Sequence, residues 1–301
     1  TPDAYWSTVN PTTINDPQTH KFTEVGYYQI TAKWGAGTVS NNYTAKDAIY
    51  TLTITQAETQ DITLTPDKLE RWTAAEGQTP AKYTITYGAA ATFTVIGKAA
   101  LDNASISYAV KGDSSVVSVD GSSGVVTIHK AGTATITVTA AETPNVGAAS
   151  VEYTVTVKKA KPTVNTGLEG DELTVAYTGK AITGYNKATA AANVVEGAAK
   201  PTGDITYTFY TDQECKNKVT NGDGEGNNIP IAVGTYYMKA TYPGDTNYES
   251  AVSKPVTVTV TKAQLTVDAE GHTGTYDGET HSAITIKSVT GNGTTLAQGQ
   301  Y

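Results

Sequence analysis

The chain has 301 residues, 39% of them hydrophobic and 17% charged, with a net charge of −8, 28 Gly, 11 Pro and one Cys. That length allows two or three compact units; the acidic balance lacks the basic footprint of nucleic-acid binding, and no apolar run reaches the roughly 18 residues of a membrane helix. A single cysteine excludes an internal disulfide and multi-cysteine zinc sites, and with Arg71 the only arginine, bidentate phosphate or carboxylate clamps are almost unavailable.

The opening residues do not read as a signal peptide. Threonine, at 54 residues beside 19 Tyr and only three Phe, biases the chain towards strands. The first clear element is EVGYYQITAKW from Glu24, followed by a polar loop and the alternating run YTLTITQA from Tyr50. The pair recurs as KAGTATITVTA from Lys130 with YTVTVKKA from Tyr153, and as AVGTYYMKATY from Ala232 with VTVTVTKA from Val256. The runs are spaced by 103 residues both times, too long for a solenoid repeat and right for one β-sandwich module. In the last run Val256, Val258 and Val260 share one face and the threonines the other, a period of two that excludes an amphipathic helix. Burying each Val contributes roughly 1.5 to 3 kcal/mol, and a one-residue slip would expose the whole set, so register is expected to be firm.

Between the markers, the sequence predicts strands at Tyr83–Tyr87, Ala91–Ile96, Ser105–Val110, Val116–Val119 and Val125–His129, then at Leu173–Tyr177, Ile205–Tyr210 and Tyr236–Tyr242. Lys111-Gly112-Asp113 and the segment Asp120–Gly124 are turn-prone. The Ala-rich stretch Lys187–Lys200 has room for a helical turn, against which Gly197, Val194 and Val195 argue. The repeat phase predicts the later strands of one module in 1–60, full modules in 61–160 and 161–263, and the opening strands of a further, truncated one in 264–301.

Residues 61–160 resemble a bacterial immunoglobulin-like domain of the group 2 type on the motif DSSVVSVDGSSGVVTIHKAGTATITVTA from Asp113. Residues 161–263 resemble an Ig-like repeat of large Gram-positive gut-bacterial surface proteins, on AYTGKAI from Ala176, YTDQEC from Tyr210 and AVGTYYMKATYPGDTNYESAVS from Ala232. TYDGETHS from Thr275 is similar to the opening of YDG- or MBG-type adhesin modules. The resemblance implies an all-β chain of tandem immunoglobulin-like β-sandwich domains in a row, extracellular, on a bacterial cell surface or secreted. The residues add their own support: Tyr28 and Tyr236 each follow a Gly by two and precede an apolar residue by two, the spacing of a tyrosine corner. In the middle module Ala134 takes that place, so its corner is expected to be held otherwise.

Chemical candidates are few. His20, His129, His272 and His281 are scattered in sequence, and no nucleophile elbow, P-loop, zincin helix or dinucleotide fingerprint is present. The chain therefore reads as no enzyme, with no catalytic residue and no organic cofactor. The segment Asn221–Asn228 alternates oxygen ligands with glycines and puts Gly226 in sixth place, as in an EF-hand-type calcium loop; Asn221, Asp223 and Glu225 are the candidate metal ligands. Ala232 stands where such a loop needs its twelfth-position Glu, and a Gly/Asp/Asn-rich hairpin tip explains the same composition. Trp6, Trp34 and Trp72 would stack on sugar rings if exposed together, but lie in different strands or linkers, where packing is the simpler role. Cys215 reads as a strand-end residue, and Asn42, Asn103 and Asn292 head glycosylation sequons that otherwise read as turns. Stalks of the resembled kind carry Lys–Asn isopeptide or Thr–Gln ester crosslinks. No Asn lies in the three closing runs, and Gln56 is the one matching glutamine for an ester.

The expected function is a non-catalytic stalk segment, a monomeric semi-rigid rod that projects a distal binding domain through short linkers such as Ala160-Lys161-Pro162. Two alternatives stay open: a module binding a host glycan or protein, and accessory domains of a secreted polysaccharide-degrading enzyme. Neither nucleic acid nor membrane insertion is expected for this segment.

Overall fold

The computed structural model describes residues 6–7, 13–14, 22–32, 48–220, 228–281, 284–291 and 294–297. They form two compact units: the first is residues 1–85 with 90–157, the second residues 86–89 with 158–301.

In the first unit, β1 (Trp6–Ser7) pairs with β2 (Thr13–Ile14), and β3 (Gly26–Ala32) with β4 (Ala48–Ile54), both antiparallel. Next come β5 (Ile62–Pro66), β6 (Trp72–Thr73), β7 (Ala81–Thr86), β8 (Thr92–Ala99) and β9 (Ile106–Lys111). They are followed by β10 (Val117–Val119), β11 (Val125–Ile128), β12 (Gly132–Ala140) and β13 (Ala149–Lys158). These nine strands make two sheets, in the orders β10-β11-β8-β5 and β6-β7-β13-β12-β9. Tyr83 of one sheet stacks on Phe93 of the other at 3.9 Å between ring centroids, and the Gly97 amide donates to the Tyr108 hydroxyl at 2.7 Å. Alternation decides which side chains line the gap: Ile136, Val138, Tyr153 and Val155 are fully buried while their threonine neighbours face out. This is an immunoglobulin-like β-sandwich.

The second unit holds β14 (Thr163–Asn165), β15 (Glu172–Ala176), β16 (Thr189–Ala191), β17 (Thr206–Tyr210), β18 (Gly234–Tyr242), β19 (Ala251–Val252) and β20 (Val256–Thr261). The main sheet runs β15-β20-β18-β17, with β19 also on β18; β14 and β16 form a separate pair. The predicted inward valines Val256, Val258 and Val260 are buried with Phe209, Met238 and Ile182. Then β21 (Leu265–Gly271), β22 (Ile284–Gly291) and β23 (Thr294–Thr295) form a three-stranded antiparallel sheet.

One reading left open in the sequence is decided, and one predicted strand gains its partner. The Ala-rich stretch holds no helical turn: β16 lies inside it, pairing Ala190 with Val164. The predicted strand at Leu173–Tyr177 is present as β15, but it pairs with β20 in parallel, Leu173 opposite Val258, across some 85 residues of chain. Among the described residues the only helical elements are the 3₁₀ turns Leu69–Arg71 and Glu169–Asp171.

Both tyrosine corners form. The Tyr28 hydroxyl donates to the Glu24 carbonyl at 2.9 Å and the Tyr236 hydroxyl to the Ala232 carbonyl at 3.0 Å, four residues upstream in each case. Where Ala134 replaces the tyrosine, the backbone does this work: the amides of His129 and Lys130 both donate to the Val116 carbonyl, at 2.9 and 3.3 Å.

Candidate functional site

An open cleft of ≈ 670 Å³ lies in the second unit beside β14, lined by Lys161–Thr166, Asp171 and Ser250–Lys254. Its walls are mostly Thr, Ser, Asn and small apolar side chains. It brings together no nucleophile–base pair and no convergent carboxylates. Among the described residues no group of three or more His, Cys, Asp or Glu side chains is placed to hold a metal ion. No helix among them is long and apolar enough to cross a membrane.

The densest polar convergence is the Asp245 turn, between β18 and β19. One carboxylate oxygen accepts from the Thr202 amide at 3.0 Å and the Tyr242 hydroxyl at 2.7 Å. The other accepts from the amides of Asn247 and Tyr248, at 2.7 and 2.9 Å. Partial burial pushes this carboxyl up, but the Thr202 amide, the Tyr242 hydroxyl and the two loop amides outweigh it and hold it down at about 2. Burial, then the Asp245 carboxylate, pushes the Tyr242 phenol up to about 12. The Tyr248 hydroxyl donates to the Ala199 carbonyl at 2.6 Å. All of these partners belong to the protein itself, so the network sets the shape of a loop and presents no free acid or base. Asp120 does the same in the first unit: the amides and hydroxyls of Ser123 and Ser122 converge on one of its oxygens and hold its carboxyl far below the usual range.

The sequence candidates fare differently. Asn221, Asp223 and Glu225 lie outside the described residues, as do His20, Trp34, Asn42 and Asn292. Trp72 packs on Tyr153 at 5.7 Å between ring centroids, a structural contact. His129 bonds the Ser118 hydroxyl at 2.8 Å. The other two histidines are not scattered: the loop after β21 folds back so that His272 and His281 stack at 5.9 Å, with His281 on Asp277 at 2.8 Å. A separation of nine residues hid that pair, since it fits neither a helical nor a strand period. Cys215 sits in a turn at φ 55°, and burial pushes its thiol up, away from the reactive thiolate. The Gln56 side-chain amide donates to the Thr143 carbonyl at 2.8 Å and to Glu142, while the Thr143 hydroxyl donates to Asp102 at 2.8 Å, an arrangement that brings no threonine hydroxyl onto the glutamine. The exposed rings Tyr27 and Tyr50 lie on paired strands, but the register puts them on opposite faces, so they make no common platform.

Several solved structures are similar to the chain, all tandem cadherin domains. Drosophila N-cadherin EC1-4 is 14% identical over 87% of this chain and 64% of that one, at a TM-score of 0.30. Mouse cadherin-23 EC22-24 is 12% identical, over 86% and 83%, at 0.31. Protocadherin gammaB7 EC3-6 is 15% identical, over 83% and 61%, at 0.32. The chain thus spans less than two thirds of the length of the first of these. No protein-family model matches the chain, and no curated protein does. The fold rests on the strand pairings, to which likenesses at these scores add nothing.

Proposed function

We propose that this chain is a non-catalytic spacer, a stalk segment of a bacterial cell-surface protein that holds a distal binding domain away from the envelope. The observation that carries the reading is the use of polar chemistry. The strongest convergences, at Asp245 and Asp120, are consumed in fixing turns, while the 103-residue repeat supplies one hydrated, threonine-faced module after another. The resemblance of Asp113–Ala140 and Ala232–Ser253 to bacterial Ig-like repeats supports the bacterial and extracellular setting.

Small-angle scattering of the whole chain tests it. A compact globule of this length has a radius of gyration of about 19 Å. A semi-rigid rod gives a value well above that, with a maximum dimension several times the cross-section; a value close to the globular one overturns the proposal. The binding-module alternative requires selective retention on a glycan array.

A further inference from the structure

The same contact occurs twice, at the same place in the repeat. In the first unit, the chain leaving β4 runs past the loop between β12 and β13. The Ala57 amide donates to the Asn145 carbonyl at 2.9 Å, and the Ala57 carbonyl accepts from the Gly147 amide at 2.8 Å. One residue earlier, the Gln56 side chain donates to the Thr143 carbonyl at 2.8 Å. In the second unit, the chain leaving β13 runs past the loop between β18 and β19. The Ala160 amide donates to the Asn247 carbonyl at 2.9 Å, and the Ala160 carbonyl accepts from the Glu249 amide at 2.9 Å. One residue earlier, Lys159 Nζ donates to the Asp245 carbonyl at 2.6 Å. Ala57 and Ala160 are 103 residues apart, and Asn145 and Asn247 are 102 apart, so each bond has its counterpart. Each latch lies wholly inside one compact unit.

We infer that the loop preceding the last strands of each sandwich is a docking site whose partner is the linker of the preceding module, clipped on as a one-residue parallel strand. Each pairing is a parallel bridge, Ala57 with Val146 and Ala160 with Tyr248. The receiving loop is shaped beforehand in both cases. The Thr143 hydroxyl takes the Val146 amide at 3.1 Å, the Asp245 carboxylate takes the Tyr248 amide at 2.9 Å, and the Asn carbonyl between them accepts from the linker amide. Because the linker contributes mainly backbone, the clip demands little of its sequence beyond a small residue preceded by a long donor. Gln56-Ala57 and Lys159-Ala160 meet that demand, and Lys262-Ala263 repeats it in register. In the first unit the loop takes a further hold: the Asn145 side chain accepts from the Val25 amide at 2.8 Å and donates to Glu24 at 2.7 Å, at the tyrosine corner of β3.

Gly147 supplies a clean probe. A Cβ there would meet the Glu58 carbonyl oxygen at 2.4 Å, and its φ is not in the left-handed region, so a side chain clashes with the linker and not with its own backbone. The mechanical consequence, that the clips limit linker swing, rests on the stalk reading; the contact itself does not.

Amide hydrogen exchange on the whole chain, with scattering on the same samples, tests both. The amides of Ala57, Gly147, Ala160 and Glu249 are expected to exchange at least about tenfold more slowly than an open chain. In Gly147→Val the protection at Ala57 disappears while Val138 and Val155, in the sandwich core, keep theirs. Should Gly147→Val lose its core protection, Gln56→Leu reads the same clip: Ala57 exchanges faster and the core does not. Open-chain exchange at Ala57 and Ala160 in the unmodified protein overturns the clip, as does undiminished Ala57 protection in both variants. A compact scattering profile with protected linker amides overturns the stalk alone; an extended profile with unprotected ones overturns the clip alone.

Discussion

At Asp245 one carboxylate replaces the backbone partners that a loop of irregular chain would otherwise lack, accepting from two amides of its own turn and from Thr202 and Tyr242 beyond it. Asn in its place keeps one acceptor and gains two donors facing N–H groups, so part of the network turns repulsive. The pH dependence follows from the depressed carboxyl: the ionised form is favoured in the folded state, so its contribution is complete above the ordinary Asp range near pH 4. It is lost as pH falls through about 2. Asp245→Asn is expected to lower the melting temperature at pH 7 by several degrees and to flatten the loss of stability between pH 4 and 2. Thermal melts at a series of pH values check this; an unchanged acid limb in the variant shows that other carboxylates dominate. In the sequence this aspartate had no mark beyond its place in Gly244-Asp245-Thr246-Asn247, a turn signature that says nothing of Tyr242 or Thr202. The tyrosine corners were legible, because their partner lies four residues away in the chain.

For the strands, a period of two carries the assignment. β20 sits between β15 and β18 with Val258 fully buried and Thr259 half-exposed on the other face. Val258→Thr keeps shape and β-branching but buries a hydroxyl, at a cost of about 1 to 3 kcal/mol when no partner is in reach. Thr259→Val makes the reverse exchange on the outer face and is expected to stay within about 0.5 kcal/mol of the parent. Urea titration of the two variants measures the difference, and equal losses would mean the two faces are equivalent. The same periodicity fails where strands are short or two-sided. β14 and β16, of three residues each, offer too few positions to show a period. The parallel partnership of β15 with β20 packs Leu173 and Val175 onto the cluster of Ile182, Phe209 and Val258, contacts across long stretches of chain that no local pattern encodes. The linker clip was illegible for a related reason: it is made by backbone atoms, and the alanines that mark it look like any other strand end.

Among the described residues, ion pairs do little of the holding. The net charge of −8 is spread over 301 residues. Among the described residues the ion pairs are Lys111–Glu152, His281–Asp277 and Lys287–Glu270, all with exposed side chains. Exposed pairs of this kind contribute about 0 to 1 kcal/mol each, and 1 M salt shortens the screening length to about 3 Å, which weakens them. Salt also relieves the mutual repulsion of the excess carboxylates, an effect of opposite sign. Stability instead comes from valine, isoleucine and tyrosine side chains removed from water between sheets, which sodium chloride alters only slightly. Raising sodium chloride from low concentration to 1 M is therefore expected to shift the melting temperature by no more than about 2 °C, the equivalent of less than 1 kcal/mol for units of this size. Differential scanning calorimetry at the two concentrations measures it. A fall of more than about 5 °C would place the stability in surface ion pairs and would contradict a core built by the alternation of valine and threonine.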